Sequence, residues 1–376
     1  MIINNGTVLN HDFKFAKADI VVEDDKIRDI GSIGGNADID ATDCYVVPGF
    51  VDTHMHGAMG KSFIDFDDDT CSIVAEYEAK NGTTALVPAL SATPKAKLLG
   101  CIEYMKACCT SENEKAAKIY GFHLEGPFFS EKYKGAHLPE NIRNTDPYEL
   151  MEYINASDNF LKIITLAPEL PSADDTIIKA IEKGVCVSIG HSSASYEQAL
   201  HALSLGASQG THIFNAMSPL NHRDPGMVGA ILLTDAKAEL ICDFFHIHKD
   251  IIKMVYNSKG SDRINIITDS ELGTGLPDGE YMVNGRKIIV KDKKAYTDDG
   301  TIAGGTSCMI DGVRNLVSIG IPLEEACKMA SKNPAQTIGE FDKIGSIKEG
   351  KIADLVVLDK KDLSIKNVII RGKLLY

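Results

Sequence analysis

The stretch Val185–Asn215, "VCVSIGHSSASYEQALHALSLGASQGTHIFN", carries the repeat that decides the fold. An apolar run, "VCVSIGHS", ends beside a histidine. A helical pattern, "YEQALHALSLG", follows and closes on glycine, the usual residue just past a helix C-terminus. A second run, "ASQGTHIFN", then carries another histidine. The alternation continues outward in both directions. In chain order the runs are "YVVPGFVDTHMHG", "TTALVPAL", "KIYGFHLEG", "LKIITLAPE", "VCVSIGHS", "ASQGTHIFN", "AELICDFFHIH" and "INIITDS", which makes eight. Helical patterns such as "CSIVAEYEAKNG", "ADDTIIKAIEKG" and "KDIIKMVYNSKG" lie between them. Continuous apolar runs suit strands buried on both faces of a parallel sheet. Eight of them alternating with helices point to an α/β fold, the (β/α)8 TIM barrel.

The two ends of the chain read differently. Residues 1–47 and 346–376 are rich in β patterns and turn signals, and neither end alone has strands enough for a core. Together they predict one small β-sandwich domain built from both termini, beside a barrel over residues 48–345. Gly279 to Thr301 reads as hairpins inserted after the eighth strand, with Asn284-Gly285 and Asp299-Gly300 as turn pairs.

Lys plus Arg is 39 and Asp plus Glu is 53 in 376 residues, a formal net charge of −14. That balance argues against nucleic acid or an anionic membrane as partner, though a few local cations can still hold a small anionic substrate. No apolar run approaches the roughly 20 residues of a membrane-spanning helix, and the amino terminus lacks the pattern of a signal peptide. A cytoplasmic protein is expected. The nine cysteines are scattered and odd in number, with no Cys-x-x-Cys pair, which suits reduced thiols. Cys108 and Cys109 read as structural.

Chemistry in such a barrel gathers at the carboxyl ends of the strands. A strand over Phe50 to His56 would set His54 and His56 on one face at the end of the first run. The third run ends in Glu125, the fifth in His191 and the eighth in Asp269, while the sixth carries His212. Four imidazoles and two carboxylates thus converge on one rim, a donor set for a divalent ion such as Zn, Fe, Mn or Co. Glu125, His191 and His212 supply the three ligands that a catalytic ion needs beside an open position. His54 and His56, sharing Glu125 or Asp269, can hold a second ion, so one or two per chain are expected. Asp269 also suits proton transfer beside such an ion.

"PGFVDTHMHG", a late Asp and "GSIKEGKIADLVVLD" resemble the metal-dependent amidohydrolase superfamily. Within it, "HLEGPFFSEKYKGAH", "IGHSSAS", "GTHIFNAMSPLNHRDPG", "TDSELGTGLPDG" and "IAGGTSCMIDGVRNL" resemble the family of N-acetylglucosamine-6-phosphate deacetylases, over nearly the whole chain. The resemblance implies an amino-sugar phosphate as substrate and loss of its acetyl group. It implies Glu125, His191 and His212 as principal metal ligands, Asp269 as catalytic acid/base, and His246 as the residue that polarises the acetyl carbonyl. It further implies sugar-phosphate contacts from Ala136, His137, Asn215, Ala216 and Arg223, with His222 beside it, and from the backbone of Ile302, Ala303 and Gly304. A homodimer, in which a neighbour completes the phosphate site, is part of the same implication. One departure stands out. Where the family has "DGxH", this chain has "DFFHIH", Asp243 to His248, so Phe244 and Phe245 can reshape the pocket and His248 can compete with His246. Three other readings are weighed. A dihydroorotase or dipeptidase would bridge two metals with a strand-four lysine, but Lys162 sits at the wrong end of its run. A deacetylase of another amino-sugar phosphate, such as N-acetylgalactosamine 6-phosphate, stays open. A binding protein without activity would be expected to have lost ligands, and none is missing.

Overall fold

The computed structural model describes residues 1–283, 286–292, 294–297 and 304–376. All eight apolar runs form barrel strands, at Phe50–Asp52, Thr83–Leu86 with Ala89–Ser91, Phe122–Glu125, Leu161–Leu166, Cys186–Ile189, Gln209–Gly210, Lys237–Ile241 and Ile264–Ile267. Successive strands pair in parallel in this order. Asp269 N donates to His54 O at 2.9 Å and Thr268 Oγ1 to Asp52 Oδ2 at 2.5 Å, joining the eighth strand to the first. The second strand is in two pieces because Pro88 has no N–H to give to a ladder. Every residue of Phe122–Glu125 and Ile264–Ile267 is buried, as both-face coverage requires.

Helices run between the strands and begin where local chemistry allows. The side chain of Asp146 accepts from the backbone N–H groups of Tyr148 and Glu149, and Pro147 fills the first turn of Pro147–Ser157. Ser195 and Gln198 cap Tyr196–Ser204 reciprocally. These caps fix where each helix starts after its rim loop.

Both termini enter one eight-stranded sheet. Its central strand, Cys44–Pro48, pairs in parallel with Ile2–Leu9 and antiparallel with Leu355–Asp359, which ties the two ends of the chain together. Ile3, Val8, Ile20, Val46, Leu355, Val357 and Ile369 give this unit a hydrophobic core separate from that of the barrel. Burying each such side chain is worth about 1.5–3 kcal/mol. The insertion after the eighth strand is a three-stranded antiparallel sheet of Gly279–Val283, Arg286–Lys291 and Lys294–Thr297. Both turn pairs read there, Asn284-Gly285 and Asp299-Gly300, lie outside the described residues.

Two expectations need correction. The first strand stops at Asp52, not at His56, although the histidine rings still stand side by side with centroids 5.3 Å apart. The nine cysteines are not all reduced: Cys71 and Cys108, 37 residues apart, form a disulfide. Spacing alone does not reveal it, because the helices Thr70–Lys80 and Lys95–Thr110 bring the two Cα atoms to 6.2 Å. Cys109 stays free, with burial pushing its thiol up to about 12. Among the described residues, no helix is long and apolar enough to cross a membrane.

Candidate metal centre and active site

Three of the rim residues share an uncommon backbone. His191, His212 and Asp269, each just past a strand end, have φ of 48°, 28° and 48°. A non-glycine residue held there costs roughly 1–3 kcal/mol, and such conformations persist where the surroundings over-determine them. In each case the chain leaves its strand and the side chain joins the rim cluster.

The centre of that cluster is the buried carboxylate of Glu125. Its Oε1 lies 3.1 Å from His191 Nε2, 3.2 Å from His212 Nε2 and 3.3 Å from His54 Nε2. Its Oε2 lies 3.3 Å from His56 Nε2 and 3.2 Å from His137 Nε2. Asp269 Oδ1 faces His56 Nε2 at 3.3 Å and His54 Nε2 at 3.6 Å. Five imidazoles therefore turn the same nitrogen towards one carboxylate.

In three of them the opposite nitrogen explains that orientation, while His212 Nδ1 is buried without a hydrogen-bond partner. His191 Nδ1 donates to Tyr133 O at 3.0 Å, His56 Nδ1 lies 3.0 Å from Ser91 Oγ, and His54 Nδ1 lies 3.0 Å from Glu239 Oε2. A partner on one ring nitrogen fixes the tautomer and leaves the other as a lone pair, the usual arrangement of a metal-binding histidine. His54 Nε2 is buried with no hydrogen-bond partner. His191 Nε2 and His212 Nε2 are 3.0 Å apart, close to the roughly 3.4 Å expected between two nitrogens on one tetrahedral zinc. The donor set fits a divalent ion, with Glu125–His191–His212 and His54–His56–Glu125 as two trios sharing a carboxylate.

Electrostatics separate the roles. Burial pulls the His191 imidazole down to about 4, so it is neutral with its lone pair free. Burial also works to lower His56, but Glu125 and Asp269 outweigh it and raise this imidazole to about 10. Burial would raise the Asp269 carboxyl, yet the charges of His54 and His56 hold it well below the usual range. Asp269 is therefore ionised and able to accept a proton.

The other expected residues divide into three groups. His137 belongs to the Glu125 cluster and packs edge-on to His191, with ring centroids 4.9 Å apart; Ala136 precedes it in the same loop. His246 lies five residues past the seventh strand, half-buried, with Nδ1 at 2.7 Å from Asp243 Oδ2 and within electrostatic reach of Asp269. His248 does not compete for that place: it is exposed and caps the helix Lys249–Lys259 by accepting from Asp250 N. Phe244 has φ of 62°, and the Phe245 ring sits 5.5 Å from those of both His246 and Tyr296, with Lys294 Nζ 4.9 Å from its centroid. Asn215 Nδ2 donates to His212 O at 3.1 Å, and Ala216 O accepts from Ser192 N at 3.2 Å, so both lie directly behind the cluster. Gly304 has φ of +85°, and a Cβ there would meet Glu271 Cγ at 2.3 Å, so only glycine fits beside Asp269. Ile302 and Ala303 lie outside the described residues. His222 and Arg223 are exposed in a bend that precedes the helix Gly226–Leu233.

Sequence reasoning missed Glu239 and His123. Both sit in apolar runs, where a polar side chain signals a pairing partner. At strand four, Lys162 Nζ lies 3.5 Å from Glu340 Oε1, far from the rim end, where Ala167 and Pro168 stand. This lysine does not bridge the cluster.

The model of the amidohydrolase family matches residues 45–375. The chain is 37% identical over 368 residues to an N-acetylglucosamine-6-phosphate deacetylase of Lysinibacillus sphaericus, covering 96% of this chain and 94% of that one. It is 34% identical over 330 residues to an N-acetylgalactosamine-6-phosphate deacetylase of Escherichia coli O157:H7, covering 87% and 86%. Its structure is similar, with a TM-score of 0.93 and 32% identity over 100% of this chain and 99% of the other, to a mutant N-acetyl-D-glucosamine-6-phosphate deacetylase of Mycobacterium smegmatis in complex with N-acetyl-D-glucosamine-6-phosphate.

Proposed function

This chain belongs to the amidohydrolase family, and from that premise we propose that it hydrolyses the acetamide of N-acetyl-D-glucosamine 6-phosphate, giving glucosamine 6-phosphate and acetate. The observation that carries the reading is the convergence of five imidazole nitrogens on Glu125 with the ionised Asp269 at the same rim. The similarity to deacetylases over nearly the full chain supports the choice of substrate.

In this reading Glu125, His191 and His212 hold one divalent ion, zinc first and iron, manganese or cobalt after it, and His54 and His56 hold a second. Such an ion lowers the pKa of water towards neutrality and polarises a carbonyl oxygen. Asp269 removes the proton from the attacking water and passes it to the sugar nitrogen, so that the amine departs neutral. His246, fixed through Nδ1 by Asp243, presents its other nitrogen to the acetyl oxygen as negative charge develops there. His137, Asn215, Ala216 and the backbone around Gly304 border the sugar. Arg223, with His222, is assigned to the 6-phosphate across a homodimer interface on the resemblance; both are exposed within one chain. The chain then divides into a catalytic barrel, 48–345, and a terminal β domain, 1–47 and 346–376, in a cytoplasmic enzyme of amino-sugar metabolism.

Acetate release across N-acetyl sugars, with and without 6-phosphate, tests the assignment. N-acetylglucosamine 6-phosphate is expected to be turned over fastest. Preference for N-acetylgalactosamine 6-phosphate would reassign the sugar, and no release from any of them would end the reading.

A further inference from the structure

Glu239 is a carboxylate in the middle of the seventh barrel strand, fully buried. Ionised groups so placed are paired or serve a metal site. Its Oε2 lies 3.0 Å from His54 Nδ1 and accepts from His212 N at 3.4 Å, so it touches both trios of the cluster from below. Its Oε1 accepts from Gln209 Nε2 at 2.8 Å. Gln209 Oε1 in turn accepts from Asn265 Nδ2 at 3.2 Å, and Asn265 Nδ2 also donates to Thr337 Oγ1 at 3.0 Å. The carboxylate is thus anchored through the barrel interior from strands six and eight to the helix Lys332–Thr337.

His123 completes a second group with His54 and Glu239, but it is not a ligand there. Its Nδ1 is 3.3 Å from Thr53 O and its Nε2 is 2.7 Å from Thr165 Oγ1, so both nitrogens are engaged. His54 is different. Its Nδ1 is engaged with Glu239, while its buried Nε2 has no hydrogen-bond partner and stands 3.3 Å from Glu125 and 3.6 Å from Asp269.

We propose that Glu239 is the positioning residue for the second metal ion: it takes the proton of His54 Nδ1 as a hydrogen bond, so that Nε2 meets the ion as a lone pair. The proposal rests on the two-ion reading above. Carboxylate partners of this kind orient the imidazole and raise its basicity, and their removal typically costs about 10–100-fold in metal affinity. The effect should fall on the ion bound by His54 and His56 and spare the one bound by Glu125, His191 and His212.

Metal-free protein titrated with Co²⁺, followed by visible absorption and by bound metal per chain, tests this. Wild type should take up two equivalents. Glu239→Gln, which preserves shape and removes the charge, should keep one at wild-type affinity and bind the other about 10–100-fold more weakly. In a His54→Asn background the same change should have no further effect, because the coupling runs through His54. If Glu239→Gln fails to fold, Glu239→Asp keeps the charge but shortens the reach and should show the same split. Two tight ions in both wild type and Glu239→Gln would overturn the role. Weakening of both ions alike would assign Glu239 to the barrel in general and overturn it too. One ion in wild type would overturn the two-ion reading and this role with it, while leaving acetate release as a separate question.

Discussion

Asp269 Oδ1 stands 3.3 Å from His56 Nε2, so the carboxylate proposed to carry the proton is in contact with the histidine pair that follows the first strand. Its charge is therefore set by the same groups that would hold a second ion. An ion bound there would compete with the proton that Glu125 and Asp269 favour on His56, because ligands must be deprotonated to bind.

Asp269→Asn should keep the fold and the ion proposed at Glu125, His191 and His212, but lose kcat by roughly 10²–10⁴-fold, the usual worth of general acid/base catalysis. Steady-state kinetics alongside metal content check this. Near-normal turnover at full metal occupancy would move the proton to another residue, and His246 is the next one at the rim.

Arg223→Ala should lower kcat/KM for N-acetylglucosamine 6-phosphate by at least about 30-fold, the lower range for truncating one partner of a desolvated charge pair. Slow hydrolysis of unphosphorylated N-acetylglucosamine should hardly change. Arginine's planar fork suits phosphate oxygens, and a chain of net charge −14 needs a local cation for a dianion. Equal losses on both sugars would place Arg223 in support of the fold.

Glu78 sets a pH dependence of stability away from the rim. Burial first, then the charges of Asp52 and Asp311, push its carboxyl up to about 8 despite a hydrogen bond from Thr83. It is neutral in the folded protein and ionises near 4.5 when exposed. The folded state therefore binds the extra proton between those values. This contribution is complete below pH about 4.5 and is lost as pH rises to about 8. Each pH unit crossed in that window removes roughly 1.4 kcal/mol. Denaturant unfolding at pH 5 and pH 8 should show wild type losing stability more steeply than Glu78→Gln. Parallel curves would mean that Glu78 is not buried neutral.

The barrel was legible because its strands are covered on both faces and therefore read as apolar runs separated by helical patterns. Glu125, His191, His212 and Asp269 were legible because strand ends are where such runs stop. What escaped depends on distance through space. The disulfide joins helices whose approach no spacing encodes. Glu239 looked like one polar residue in "AELIC", and only the fold reveals His54 across the barrel from it. The choice between His246 and His248 turned on a helix cap that begins at His248. Arg223 sits exposed in a bend, so the resemblance and not the geometry singles it out.

The most direct test removes the metal and restores it. Protein stripped by chelation is incubated with N-acetylglucosamine 6-phosphate, and acetate is measured as Zn²⁺, Mn²⁺ or Fe²⁺ is added back. Acetate release should be absent from the stripped protein and return in proportion to bound metal, with His191→Asn recovering none of it. Full acetate release from protein shown to be free of metal would contradict the account.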